Sequence, residues 1–338
     1  MLFQASDSHD PGTEAASARA AAVAGAPAEP VQARGGGEVY VGTSSWTDPT
    51  MTKAGVFYPA DASSAEERLR YYASLFPVVE VDSTYYALPV ENVTRAWVER
   101  TPGHFVFDIK AHALMTGQPS EVKRLPKFIR EELPEEVAAK SRIYSRDLPD
   151  ELQDRLWQAF LKALDPLRDA GKLGAVSLQF PRWVFPSHEA REVMRDAKRR
   201  LDGFGVPMAA EFRHNSWFNE RNAERTLQFL KDNGIAYVMV DEPQGLKSSI
   251  PPLAAVTSKE LAIVRLHGRR AETWEKKGIP VVERFRYLYD EDELADWVPR
   301  IREAAKQAPK THVLMNNCFG NYGTTNAREL AALLEDQL

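Results

Sequence analysis

The sequence has a single cysteine, Cys318. No intramolecular disulfide can staple the chain, so its stability has to come from a packed core, and a reducing cytoplasm is the expected setting. It also lacks any run approaching the roughly 18 to 20 continuous apolar residues that a membrane-spanning helix needs, which argues against a membrane protein. Basic charge is not in excess: 43 Lys and Arg stand against 48 Asp and Glu, a net charge of −5. No global positive field therefore advertises a nucleic acid partner, although a local basic patch is not excluded. The 7 histidines form neither a dense cluster nor a two-histidine helical spacing, so a divalent metal is not favoured and no cofactor is indicated. The N-terminus carries Asp7, Asp10 and Glu14 ahead of any basic residue and has no Leu-rich apolar stretch; the charge order and core of a secretory signal are missing.

What is present is a regular alternation. Residues 1–37, rich in Ala, Gly, Pro and Ser, read as a disordered leader. From Val39 onward eight β-branched or aromatic runs follow: "VYVGTS" from Val39, "VVEVDS" from Val78, "HFVFDIK" from His104, "GAVSLQF" from Gly174, "PMAAEF" from Pro207, "IAYVMVD" from Ile235, "LAIVRLH" from Leu261 and "HVLMNN" from His312. Between them lie patterns with apolar residues three and four apart, at 65–75, 151–170, 188–201, 220–233, 291–307 and 325–338, which predict helices. Strand and helix in alternation argue for parallel strands covered by helices. A doubly wound sheet would bring a glycine-rich phosphate turn after its first strand, where this chain has "GTSSWTD". The expected fold is therefore a single (β/α)8 barrel of the TIM type over residues 38–338, with long rim loops after strands 3, 6 and 7.

In a closed parallel barrel the C-terminal ends of all strands converge on one mouth. Strand one ends in Ser44, Ser45 and Trp46, strand two in Glu80 and Asp82, strand three in Lys110 and His112, strand four in Gln179. Strand five gives Glu211 and Arg213, strand six Asp241, strand seven Arg265 and His267, and strand eight Asn316 and Asn317. Period two sets Glu80 with Asp82, Lys110 with His112, Glu211 with Arg213 and Arg265 with His267 on common, inward faces. Any one of these residues can be read as marking where its strand leaves the core. The set resists that reading, because burying several ions in one crevice costs several kcal/mol each unless they are paired. Glu80, Glu211, Asp241 and His267 are the candidate catalytic acids and bases, with His267 the leading proton carrier because its ordinary pKa is near neutrality. Lys110, Gln179, Arg213, Trp217, Arg265, Asn316 and Asn317 are the candidate substrate-binding residues, the cations suiting a phosphate or carboxylate. Trp46, Tyr85, Tyr86 and Trp217 offer stacking walls or, equally, packing for the loops. Cys318 at the same mouth reads better as a small buried hydrophobe than as a nucleophile.

The phrases "VGTSSWTDP" with "FYP", "VEVDSTYYALP", "LGAVSLQFP", "AAEFRHNSWF", "VRLHGR" and "VLMNN" occur in an order that resembles the domain of unknown function 72, or YecE-like, family, from about Val39 onward. The resemblance implies a TIM-type fold and implies no activity. It maps recurring polar positions onto Glu80, Lys110, Gln179, Glu211, Arg213, His214, Trp217, Asp241, Arg265, His267, Asn316 and Asn317. This chain departs from the pattern at Thr116 and Gly117, where a Thr-His pair is usual, and at "CFGNYGTTNA" around Cys318 and Gly320.

The leading functional expectation is an enzyme, whether hydrolase, isomerase or lyase, that applies acid and base groups to a small polar anionic substrate at the mouth. One alternative is a nucleic-acid-binding or endonuclease-like barrel, using Lys123, Arg124, Lys127, Arg269, Arg270, Lys276 and Lys277 in the excursions against phosphates. A third reading is a ligand-binding barrel without catalysis.

Overall fold

The computed structural model describes residues 11–34, 36–53 and 55–336. Eight parallel strands close on themselves: β1 (Glu38–Thr43), β2 (Val78–Val81), β3 (Val106–Lys110), β4 (Leu173–Gln179), β5 (Met208–Glu211), β6 (Ala236–Asp241), β7 (Leu261–Leu266) and β8 (Lys310–Met315). Each pairs in parallel with its sequence neighbours, and β8 pairs with β1 to complete the ring. The strands read as continuous apolar runs because both faces are covered, one by the barrel interior and one by helices. β2, β5, β6 and β7 are buried at every position. At Gly42 in β1 a side chain would drive a Cβ to within 1.9 Å of the Val78 carbonyl oxygen, so glycine lets β1 lie close to β2.

The outer layer is formed by α2 (Ala65–Ala73), α3 (Glu91–Glu99), α4 (Asp150–Asp169), α5 (His188–Phe204), α6 (Ala223–Asp232), α7 (Val298–Gln307) and α8 (Tyr322–Asp336); α1 is described below. α4 turns Leu152, Leu156, Phe160, Leu164 and Leu167 inward at helical spacing. Ser64 starts α2 with a capping box to Glu67, and the Ser187 hydroxyl accepts from the Ala190 N–H to start α5. The helix expected over 291–307 is broken into Glu291–Ala295 and α7, with Pro299 in the first turn of α7, where its missing N–H costs nothing. Three excursions rise over the C-terminal ends of the strands: 111–149 after β3, including a small ribbon pairing Ser120–Glu121 with Arg142–Ile143, then 242–260 after β6 and 267–290 after β7. No helix among the described residues is long and apolar enough to cross a membrane.

The leader differs from its expectation. Its first ten residues lie outside the described residues, but α1 (Pro11–Ala22) is an ordered helix against α8, so the reading of disorder is corrected for the part that follows. Alanine is the strongest helix former, and its short side chain allows close approach. Arg19 then clamps the helix with two bonds of 2.7 Å to the Glu329 carboxylate and one of 2.6 Å to the Tyr289 carbonyl. Val31–Gln32 adds an antiparallel step to β1.

Candidate functional site

Strand register decides which polar residues meet. Arg265 pairs with Val240 on one side and Leu314 on the other, and Gln179 pairs with Glu211. Two-residue periodicity then aims Glu80, Asp82, Lys110, Gln179, Glu211, Arg213, Arg265, His267 and Asn316 into the barrel. Of the expected site, this inward group is brought together.

Arg265 is its hub. The guanidinium is 2% exposed and reaches Glu80 at 2.5 Å and Glu211 at 2.6 Å, with Ser44 and Asn316 each at 3.3 Å. A buried cation between two carboxylates is the arrangement in which pairing offsets desolvation. Glu211, on β5, also accepts from Gln179 at 2.7 Å and forms an ion pair with Arg213 at 2.6 Å. Burial alone would raise its pKa, but Arg213 and Arg265 outweigh it and hold the carboxyl well below its usual range. For Glu80, whose described hydrogen-bonding partner is Arg265, burial wins and the pKa rises. Burial also raises Asp82, against the opposing pull of Lys110 and Arg265.

His267 is fully buried. Arg265 can only donate, so the Asn316 oxygen faces it and the Asn316 amide donates to His267 Nδ1 at 2.7 Å. Nε2 faces two groups, the donor-only guanidinium of Arg213 at 3.2 Å and Glu211 Oε1 at 3.3 Å. Burial, with the charge of Arg213 next, pushes the His267 pKa down to about 3. The imidazole is neutral and held among Asn316, Arg213 and Glu211, which differs from the proton carrier its ordinary pKa suggested.

Three expected site residues lie elsewhere. Asp241 stands one step out of phase with Val240, so it leaves the inward face and binds Arg269 at 2.9 Å, fixing the β7 excursion. Asn317 likewise turns away from Asn316 and donates to the Tyr287 carbonyl and the Asn326 side chain, both at 2.8 Å. Trp217 is 0% exposed, tilted against Phe212, and its indole N–H is spent on the Val184 carbonyl; it has no surface for a substrate. Trp46 is also packed, edge-on to Trp97 and Phe107, and burial raises the Cys318 thiol far above its ordinary range.

Glu242 is the residue the sequence reading missed. It continues the inward series Val238, Val240, and the period was the signal. Its carboxylate accepts from Arg213 at 3.0 Å and from the Ile250 N–H at 2.5 Å. Burial nevertheless pushes its pKa up to about 8.

Lys110 closes the mouth from β3. It is only partly exposed, and its ammonium stands 5.2 Å over the Tyr85 ring and makes no hydrogen bond or ion pair among the described residues. The Tyr85 hydroxyl donates to Gln118 at 2.5 Å, and Gln118 donates to the Gln179 carbonyl at 3.2 Å, so this wall is built from three loops. Exposed Tyr86 and Trp183 extend it, and beside it a cleft of about 740 Å³ is lined by Trp157, Phe180, Trp183 and Phe185. None of the charged mouth residues lines that cleft. Among the described residues no group of three or more His, Cys, Asp and Glu is arranged to hold a metal.

The basic residues that a nucleic acid would need are largely engaged. Lys123 and Arg124 share Glu121 at 3.3 and 3.2 Å, Lys127 pairs with Glu131 at 3.4 Å, and Arg270 pairs with Glu272 at 2.8 Å.

Comparison with known proteins places these features in a wider set. The family described as protein of unknown function DUF72 matches residues 40–338. The UPF0759 protein YunF of Bacillus subtilis (strain 168) is 30% identical over 301 residues, covering 88% of this chain and 95% of that protein. A crystal structure of a DUF72 family protein from Enterococcus faecalis V583 is 26% identical with a TM-score of 0.68, covering 88% of this chain and 95% of that one. Another, from Thermotoga maritima MSB8, is 27% identical with a TM-score of 0.67 and covers 88% and 99%.

Proposed function

We propose, from the premise that this chain belongs to the DUF72 family, that the inward cluster is an active site for acid–base chemistry on a small anionic substrate. The observation that carries this is the contrast between Lys110 and its neighbours. Arg213 and Arg265 are each engaged by two carboxyl groups, with Glu211 shared between them, whereas Lys110 faces the mouth without an ion pair and is free to receive a phosphate or carboxylate. Asp82, lifted by burial and partly exposed, is the group that can exchange a proton with a bound molecule. Glu80, Glu211, Arg265 and His267 form the rigid layer beneath, and Gln179, Arg213 and Asn316 supply donors at its edge. A reducing cytoplasm suits a chain whose one cysteine is a partly buried free thiol.

The test is a panel of small phosphate and carboxylate compounds screened by thermal shift and then by turnover. Lys110→Met should abolish the shift, and Asp82→Asn should keep binding while stopping turnover. Anions that bind Lys110→Met as well as the parent would refute the assignment. The nucleic-acid reading gains no support from the excursion cations, which are mostly paired.

A further inference from the structure

Lys110 differs from the other inward cations in more than its lack of a counter-ion. Val81 pairs with Ile109 in the ladder between β2 and β3, so the next step sets Asp82 level with Lys110, both facing inward. Glu80 lies one inward step below Asp82, and Ser177 pairs with Lys110 on the other side. The Tyr85 ring stands 5.2 Å from the amine. An ammonium with neither water's full hydration nor a hydrogen-bonded carboxylate is poorly stabilised. Burial, and then the charge of Arg265, lower its pKa, while Glu80, Glu211 and Asp82 pull back. An amine desolvated beside another cation is the standard chemical route to a nucleophilic lysine.

We propose, building on the acid–base reading of the same site, that Lys110 forms an imine with the carbonyl carbon of a small α-oxo acid. The neutral amine adds its lone pair to that carbon, and one proton passes from nitrogen to the carbonyl oxygen to give a carbinolamine. Asp82 in its acid form then protonates the hydroxyl, which departs as water as the C=N bond forms. The product is an iminium cation, seated where the ammonium stood, with Asp82 now a carboxylate beside it and Glu80 below. The iminium attracts electrons from the adjacent carbon, so Asp82 can take a proton from that carbon, leaving an enamine and regenerating its own acid form. The balanced sequence consumes no oxidant or reductant. It names the substrate class as α-oxo acids, and the reaction class as proton or carbon exchange next to the carbonyl.

The experiment uses the full chain, pyruvate and longer α-oxo acids at neutral pH, borohydride to reduce any imine to a stable secondary amine, and peptide mass spectrometry to locate it. Each unit by which a lysine's pKa falls raises its neutral fraction about tenfold. Label should therefore concentrate on Lys110 over exposed Lys123 and Lys127. Lys110→Arg and Lys110→Met should lose it, with unchanged circular dichroism, while Lys123→Arg keeps it. Label spread evenly over surface lysines, or none, would overturn the imine. The matching α-hydroxy acids, which have no carbonyl, separate the two claims. If they give a Lys110-dependent thermal shift while oxo acids leave no adduct, the imine is wrong and the anion site stands; if nothing binds or labels, both fail.

Discussion

Replacing Arg265 by methionine tests the electrostatic design at its centre. The substitution keeps much of the apolar stem and removes the charge that faces Glu80 at 2.5 Å and Glu211 at 2.6 Å. Glu211 keeps Gln179 and Arg213, but Glu80 loses its described hydrogen-bonding partner. Breaking a buried pair by deleting one member costs about 3–5 kcal/mol, and Glu80 can limit that cost only by taking up a proton. Its pKa, already raised above the ordinary 4.5 by burial, then rises further. A carboxyl raised in the folded state contributes stability fully below its unfolded pKa and loses it as pH climbs through the folded one. The penalty should therefore be smaller near pH 5 than near pH 7.5, by up to about 3 kcal/mol at about 1.4 kcal/mol per pH unit. Urea unfolding of parent and variant at both pH values measures it, and adding Glu80→Gln should remove most of the pH-dependent part. A loss below about 1 kcal/mol, or one equal at both pH values, would show that Arg265 does not neutralise Glu80.

His267 should stay neutral in nitrogen NMR spectra taken near pH 5. Because its pKa drops from 6.5 to about 3, it contributes stability that is complete above about pH 6.5 and drains away as pH falls toward 3; an imidazolium signal at pH 5 would refute a neutral ring. Trp217→Phe removes the indole bond to Val184 and part of a packed ring, and should cost about 1–3 kcal/mol in urea unfolding without weakening any ligand of the mouth. Arg19→Ala should loosen α1 from Glu329 and Tyr289, seen as faster proteolysis within residues 11–34 and a stability loss of about 1–2 kcal/mol, with the barrel itself intact.

The barrel was legible because closed parallel sheets leave a coarse signature: eight apolar runs, helical periods between them, and polar residues at one end of each. That signature survives errors of two or three residues at element ends. The leader was misjudged for a physical reason. An alanine-rich helix has almost no amphipathic pattern, and what fixes α1 is long-range: Arg19 meets Glu329, a pairing that no local rule can see. The three excursions were legible as loops, but the ion pairs within them, such as Lys123 and Arg124 with Glu121, depend on turns that bring charges back onto themselves.

The site was harder to read at the level of single residues, and strand parity explains why. A strand end supplies two consecutive polar positions, and only one faces the barrel. At β8 both are asparagine, so composition cannot separate Asn316, which holds His267, from Asn317, which anchors the 287–289 segment. At β6 the choice is between Asp241 and Glu242. Counting outward from Val238 and Val240, which pair with Ile263 and Arg265, selects Glu242. The distinction is chemical as well as geometric. Asp241 meets Arg269 outside the cluster, whereas Glu242 meets Arg213, which also holds Glu211. With its pKa near 8, Glu242 exchanges its proton close to neutrality, and each exchange changes how much of the Arg213 charge is left for Glu211. Substituting Asp241 should therefore disturb the loop, whereas substituting Glu242 should change the charge balance at Arg213 and, through it, at Glu211.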